Sequence, residues 1–229
     1  MQNAVILSSS PGWAAQNGLA DSLLRLGLSV HEAPWPLAAS FFGAGYRVAV
    51  IQLDGRTAAP DSAYLEQAGL SGATVLICDS VPGELPPAYR HLADPADEIK
   101  LATILADAGF MLPLPTEPEI GLHIGQLVDG DPDIMAELIA SLLDTNQSDL
   151  RDFCQACDLR YWADARASAH RIRGTAHLVG AASLVALSQS VETHARQNHD
   201  DAVLALAALY VPAVERLSQT LAVLAARPA

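Results

Sequence analysis

Positive charge is scarce in this chain. Thirteen Lys and Arg stand against 26 Asp and Glu in 229 residues, a net charge of −13 with a pI near 4.7. A surface so acidic excludes broad binding to nucleic acid or anionic lipid, both of which need clustered cations. It leaves room for a small basic patch. Cysteine is also rare, with three residues, too few for a disulfide framework and in keeping with a reducing compartment. The opening Met-Gln-Asn-Ala lacks the basic start of a secretory leader. No apolar run approaches the ~20 residues of a membrane helix. These absences predict a cytoplasmic protein that inserts in no membrane and binds no nucleic acid. What is present is apolar: 51% hydrophobic against 17% charged residues, a balance that predicts packed cores and little disorder. The length suits one large domain or two small ones.

The stretch Gly109–Glu119, GFMLPLPTEPE, carries three prolines, which interrupt helix and strand alike and mark a linker. Domains are expected at 1–110 and 120–229, with the linker at 111–119. In the first, Ala4–Leu7, Val48–Ile51 and Thr74–Ile77 are short, continuous apolar runs, as in parallel strands covered on both faces. Weaker strands are read at Leu28–His31 and Arg90–Leu92, with helical candidates at 12–26, 36–43, 61–69, 83–88 and 96–109. The pattern predicts a doubly wound α/β domain with a five-strand parallel sheet. The second domain reads as four helices, at about 132–157, 160–179, 182–197 and 201–226. Asp131-Pro132 starts the first, and Gly180 ends the second. Short connections imply an antiparallel four-helix bundle.

The second bundle helix carries the chemistry. Trp162, Ala165, Ala169, Ile172, Ala176 and Val179 recur at alternating spacings of three and four and face the core. His170 then lies roughly 130° from the centre of that stripe, on the wet side. Gly174 follows one turn on, with Arg166, Arg173 and His177 around it, while Arg171 points to the other side of the exposed face. A glycine inside a helix costs about 1 kcal/mol relative to alanine. Packing does not call for one on the exposed face, whereas a protein surface approaching the imidazole does. The arginines supply charge for an anion such as a phosphoryl group held beside the ring.

The stretch Ala169–Ala181, AHRIRGTAHLVGA, is similar to the signature of histidine-containing phosphotransfer (Hpt) domains, His-x-(Leu/Ile)-Lys-Gly-x-(Ala/Ser) ending in Gly-Ala or Asn-Ala. His170, Ile172, Gly174, Ala176, Gly180 and Ala181 match it, and Gly130–Asp133 resembles the start of the family's first long helix. The resemblance covers about residues 120–226, and it points to the Hpt modules that end bacterial virulence-type hybrid sensor kinases. Arg173 stands where the family usually has lysine; charge is kept, but the guanidinium is a bulkier planar fork. The resemblance implies that His170 takes a phosphoryl group from a receiver aspartate of a hybrid histidine kinase and hands it to the aspartate of a response regulator. It implies a phosphoryl carrier, not a kinase, with no cofactor of its own and Mg²⁺ brought by the partner receiver. No ATP-binding glycine-rich motif is found; Gly43-Ala44-Gly45 lacks the further glycines and the strand–turn–helix context.

The first domain resembles a response-regulator receiver in length and strand rhythm. Aligned on its strands, Ser8-Ser9-Ser10 replaces the family's acidic pair. Gln52 stands at the phospho-acceptor position, Cys78 at the hydroxyl position, and Asp94 before Pro95 where lysine belongs. An amide accepts no phosphoryl group, and without carboxylates Mg²⁺ has few hard ligands. The resemblance thus implies a pseudo-receiver used for docking or scaffolding. A shifted alignment makes Asp54 the acceptor, with Asp79 and Asp94 nearby as possible cation ligands; turn-forming aspartates in surface loops are the favoured interpretation.

Cys154 and Cys157 form a C-x-x-C inside a helix, where half-buried structural cysteines are expected. His170, His177, His194 and His199 do not make a metal set at this spacing, and no metal site is expected. The alternative to a relay is a non-phosphorylated interaction or inhibitor module that sequesters a receiver or kinase.

Overall fold

The computed structural model describes residues 4–36, 45–53, 59–78, 89–92 and 97–226. The chain forms two compact units, Met1–Phe110 and Met111–Ala229.

In the first unit, strands β1 (Ala4–Ser8), β2 (Val30–Pro34), β3 (Val48–Gln52), β4 (Thr74–Cys78) and β5 (Tyr89–Leu92) form one sheet. Their order is β2-β1-β3-β4-β5, and every pair is parallel. This is the sheet the apolar runs predict. Ala4–Leu7 and Val48–Ile51 are at most 1% exposed, because both faces of these central strands are covered. On one face Val5, Leu7, Ala49, Ile51, Val75 and Ile77 pack with Trp35, Tyr46, Leu65 and Tyr89, Leu65 coming from α3 (Ser62–Gln67). The remaining helices described in this unit are α1 (Trp13–Gln16), α2 (Leu19–Arg25) and α4 (Glu98–Asp107). Arg25 of α2 donates to Glu98 of α4 at 2.8 Å.

Two local details differ from the sequence expectation. The helix expected over 12–26 is broken into α1 and α2 at Gly18, whose φ of +61° is open to glycine at no steric cost. The second strand starts at Val30 rather than Leu28. Gly27 turns left-handed (φ +82°), and the Leu28 N–H closes α2 by donating to the Leu23 carbonyl at 3.0 Å. Leu28 is therefore a buried plug at the helix end and contributes no strand pairing. The helical candidates at 83–88 and, but for Pro36, at 36–43 lie outside the described residues, as do Asp54, Asp79 and Asp94.

In the second unit four helices make the bundle: α6 (Pro132–Leu159), α7 (Trp162–Leu178), α8 (Ala182–Arg196) and α9 (Asp200–Ala225). They are preceded by α5 (Glu117–Leu127), a helix absent from the sequence expectation. Its first turn falls in the proline-rich stretch. There the Thr116 amide and hydroxyl both donate to the Glu119 carboxylate at 2.7 Å. These two bonds hold the Glu119 carboxyl below its ordinary range and start a helix that buries Ile120 and Ile124.

The bundle helices carry buried residues at spacings of three and four. On α6 these are Ile139, Leu142, Asn146, Asp149, Phe153 and Ala156; along α7 and its C-cap Val179 all six predicted stripe residues are buried. Such seams pack helices nearly antiparallel. Asp131 caps α6, accepting from the amides of Asp133 at 3.0 Å and Ile134 at 3.1 Å. Asp131→Ala should lower the bundle's unfolding free energy by about 1 kcal/mol, read from urea denaturation followed by helical circular dichroism.

Candidate functional site

Helix α7 is anchored at its start. Asp200, in the first turn of α9, accepts from Trp162 Nε1 and from Arg160 Nη1, each at 2.7 Å. Arg160 is left-handed (φ 56°) and closes α6, so the α6–α7 turn is held to the start of α9. The alanines of the α7 stripe let neighbouring helices approach closely. At the far end Gly180 adopts φ +72°, and a Cβ there would stand 3.4 Å from the His123 ring of α5. Both facts favour glycine at that position.

Between these anchors His170 stands on the open side of the helix, its side chain 64% exposed. Its Nδ1 is turned inward, 3.2 Å from Glu192 Oε2 on α8 and 3.1 Å from Arg173 Nη2. Arg173 in turn has its Nε 3.2 Å from Glu192 Oε1. Glu192 is 8% exposed and Arg173 26%, so the pair forms a half-buried floor beneath an exposed ring. Gly174 is helical and open: a Cβ added there meets nothing within 4 Å. Arg166 and His177 are both exposed, one turn before and two turns after His170, on the same helical face. The structure thus joins His170 and Arg173 through Glu192, and sets Arg166, Gly174 and His177 along their rim.

Glu192 is the site residue that sequence inspection missed. A signal existed: a carboxylate inside the apolar seam Leu184, Ser188, Val191, Ala195 of α8 needs a partner, because a buried unpaired charge is costly. The identity of that partner is not visible in the spacing, since His170 lies 22 residues away on another helix.

Arg171 serves the other flank of α7. Its Nε lies 2.5 Å from the buried Asp149 Oδ1, and its Nη2 lies 3.2 Å from Ser168 Oγ and 3.4 Å from Asp152. A cleft of about 350 Å³ lined by Asp152, Tyr161, Asp164 and Arg171 opens on this side, away from His170.

Cys154 is half-buried and Cys157 buried in α6. Burial, helped by neighbouring acidic groups, raises both thiols, Cys157 to about 12, so little thiolate forms near neutral pH. Among the described residues, no three His, Cys, Asp or Glu side chains are placed to hold a metal ion. No described helix is long and apolar enough to cross a membrane.

In the first unit, Gln52 ends β3, buried, and its Oε1 accepts from the Ser8 hydroxyl at the end of β1. Cys78 pairs in register with Gln52. Three of the four positions aligned with receiver chemistry are thus neighbours at the carboxyl edge of the sheet; the fourth, Asp94, lies outside the described residues. There the hydroxyl and the amide bond to each other.

No curated protein and no solved structure matches the chain. A family model does: residues 137–226, from the first turns of α6 to the end of α9, match the Hpt domain. The match contains His170 with its floor of Arg173 and Glu192 on the four-helix frame. Residues 137–226 are an Hpt domain, the phosphoryl-carrying module of phosphorelays, and it follows a five-strand parallel α/β unit consistent with a receiver-like domain.

Proposed function

We propose that His170 is the phosphoryl acceptor and donor of this module, taking the group from a receiver aspartate of a hybrid histidine kinase and passing it to a response regulator. The observation that carries this is the orientation of the ring: exposed on α7, with Nδ1 turned to a buried carboxylate. When Nδ1 carries the proton, Glu192 accepts it and the Nε2 lone pair is free to attack. In the transfer the Nε2–P bond forms as the P–O bond to the aspartate breaks, the carboxylate leaves, and the ring becomes positively charged with Nδ1–H facing Glu192. Receiver partners bring Mg²⁺, whose charge offsets that of the moving group; beside His170 stand one carboxylate and a guanidinium with no lone pair, a poor set for that ion. Arg166 and His177 on the rim meet the acidic edge of the receiver.

The receiver-like unit is read as a pseudo-receiver that docks or scaffolds. Support comes from the acceptor position, where the Gln52 amide is bonded to Ser8.

Gly174 offers a test in which stability and function move in opposite directions. Its Cβ site is empty and its conformation helical, so Gly174→Ala should stabilise the bundle by about 0.5–1 kcal/mol. The added methyl intrudes where the receiver approaches, so transfer should slow by about tenfold or more. Transfer is followed as acid-labile label passed from a panel of receivers charged with acetyl phosphate. A Gly174→Ala protein that is stabler and transfers at the wild-type rate would remove the docking role of this face.

A further inference from the structure

In the first unit a hollow of about 260 Å³ opens at the carboxyl ends of β1 and β2. The strand register sets its floor. Ile6 pairs with Glu32 and Ser8 with Pro34, and in parallel strands such alternate residues share one face. Val5 and Leu7 take the other face, in the core that holds Leu65 of α3. The loop Ser9–Gly12 and the first residues of α1, Trp13 and Ala14, complete the lining. Helix α1 ends at Gln16, before the left-handed Gly18, so a single helical turn stands beside these strand ends.

Open parallel sheets take ligands at the carboxyl ends of their strands. An acidic side chain on the second strand, about 20 residues beyond the turn that follows the first, is placed to accept from the hydroxyls of a ribose. Glu32 stands at that place in this sheet. It is exposed and makes no hydrogen bond or ion pair among the described residues. The exposed Ser9 and Ser10 hydroxyls have no hydrogen-bond partner among them either, whereas Ser8 is engaged with Gln52 and with the Ser10 amide. Ile6, Trp13, Ala14 and Ala33 make the rest of the wall apolar. No Lys or Arg lines the hollow among the described residues, so it suits a phosphate or another anion poorly. Its volume lies just below the about 300–1,000 Å³ of drug-sized pockets, which fits a small ligand.

We propose that this hollow binds an uncharged ribonucleoside, with Glu32 accepting from the vicinal hydroxyls of the ribose and the base lying on the apolar wall. Hydrogen bonds to an ionised carboxylate are the strong kind, and Ser9 and Ser10 add neutral ones at the rim. A free pentose carries the same hydroxyls but leaves the apolar wall uncovered. The first unit then holds a small-molecule site in addition to the docking role read from Gln52.

The test titrates adenosine, guanosine, cytidine and uridine separately into the full ¹⁵N-labelled chain and follows amide shifts. The nucleoside that binds tightest should have a dissociation constant on the order of 100 µM and move the amides of residues 8–14 and 32–35. Its 2′,3′-dideoxy counterpart should bind at least about tenfold more weakly to the same wild-type protein, because it lacks the hydroxyls that Glu32 accepts from. Its 5′-monophosphate should also bind more weakly, since the added charge meets Glu32 with no cation beside it. Glu32→Gln, a change at an exposed position, should cost the nucleoside about tenfold, an amide being the poorer acceptor. Absence of any shift with all four nucleosides up to about 5 mM, or shifts confined to other residues, would overturn the proposal. Equal affinity for the dideoxy form would do the same. Tighter binding of the monophosphate would make this a phosphate site instead, and D-ribose binding as tightly as the nucleoside would make it a sugar site; either result sinks the assignment.

Discussion

His170→Gln should reduce acid-labile phosphoryl label by at least about a hundredfold while leaving the unfolding free energy within about 0.5 kcal/mol of wild type. Transfer has one nucleophile at this site, and glutamine has no basic nitrogen to replace it. The ring is 64% exposed, so little apolar burial is lost. Its removal does leave Glu192 with Arg173 as its charged neighbour at 3.2 Å, and glutamine can still donate to that carboxylate. The measurement is a label-transfer assay from charged receivers, paired with chemical denaturation of the same samples. Label that survives His170→Gln and disappears with Asp54→Asn would instead assign the acceptor to the first unit. A variant that loses label and also unfolds would leave the loss without chemical meaning, so the denaturation arm is essential.

Phe153→Ala should be the most damaging single change to the bundle, costing about 3–5 kcal/mol and lowering its thermal midpoint by roughly 10–20 °C. Phe153 is fully buried on α6, and its ring meets that of Tyr210 on α9 edge-on, with centroids 5.0 Å apart. Truncation removes the aromatic contact and leaves a void, since helices clamped along heptad seams relax only partly into it. The void also abuts a buried polar pair. Burial holds the Tyr210 phenol well above its ordinary value, and Ser188 Oγ stands 3.4 Å from its hydroxyl. Phe153→Leu, which keeps most of the volume, should cost less than about 1.5 kcal/mol. Helical circular dichroism against temperature checks both. Equal midpoints for the alanine and leucine variants would show that this contact does not hold the core. Phosphotransfer by the surviving folded fraction should be unchanged, because Phe153 faces the interior and His170 the solvent.

These two residues illustrate what kind of information each level carries. Which face of α7 is dry follows from the sequence alone: Trp162, Ala165, Ala169, Ile172, Ala176 and Val179 are all buried, because a helix rotates by a constant angle per residue and the spacing is local. The open position of Gly174 and the outward face of His170 follow from the same arithmetic. So does the five-strand parallel sheet, since runs apolar on both faces have few other places to go. Element ends were less legible. Leu28 is apolar enough for a strand, yet it plugs the end of α2 once Gly27 turns left-handed. Helix α5 announced itself through Thr116 and Glu119, but three prolines nearby suggested a linker; proline is tolerated in a first helical turn and breaks only the interior.

The sequence by itself determined the fold class of both units, the seam of α7, and the exposed histidine with its glycine and arginines, because these depend on residues within a turn or two of one another. The tertiary structure alone decided that Glu192 lies beneath Nδ1 and beside Arg173, and that the partner of Arg171 is Asp149. Those contacts join helices whose register is set by packing across the core, which no spacing along one helix encodes. The scarce positive charge on this acidic chain is thereby divided: Arg171 neutralises a buried carboxylate, and Arg173 remains at the imidazole.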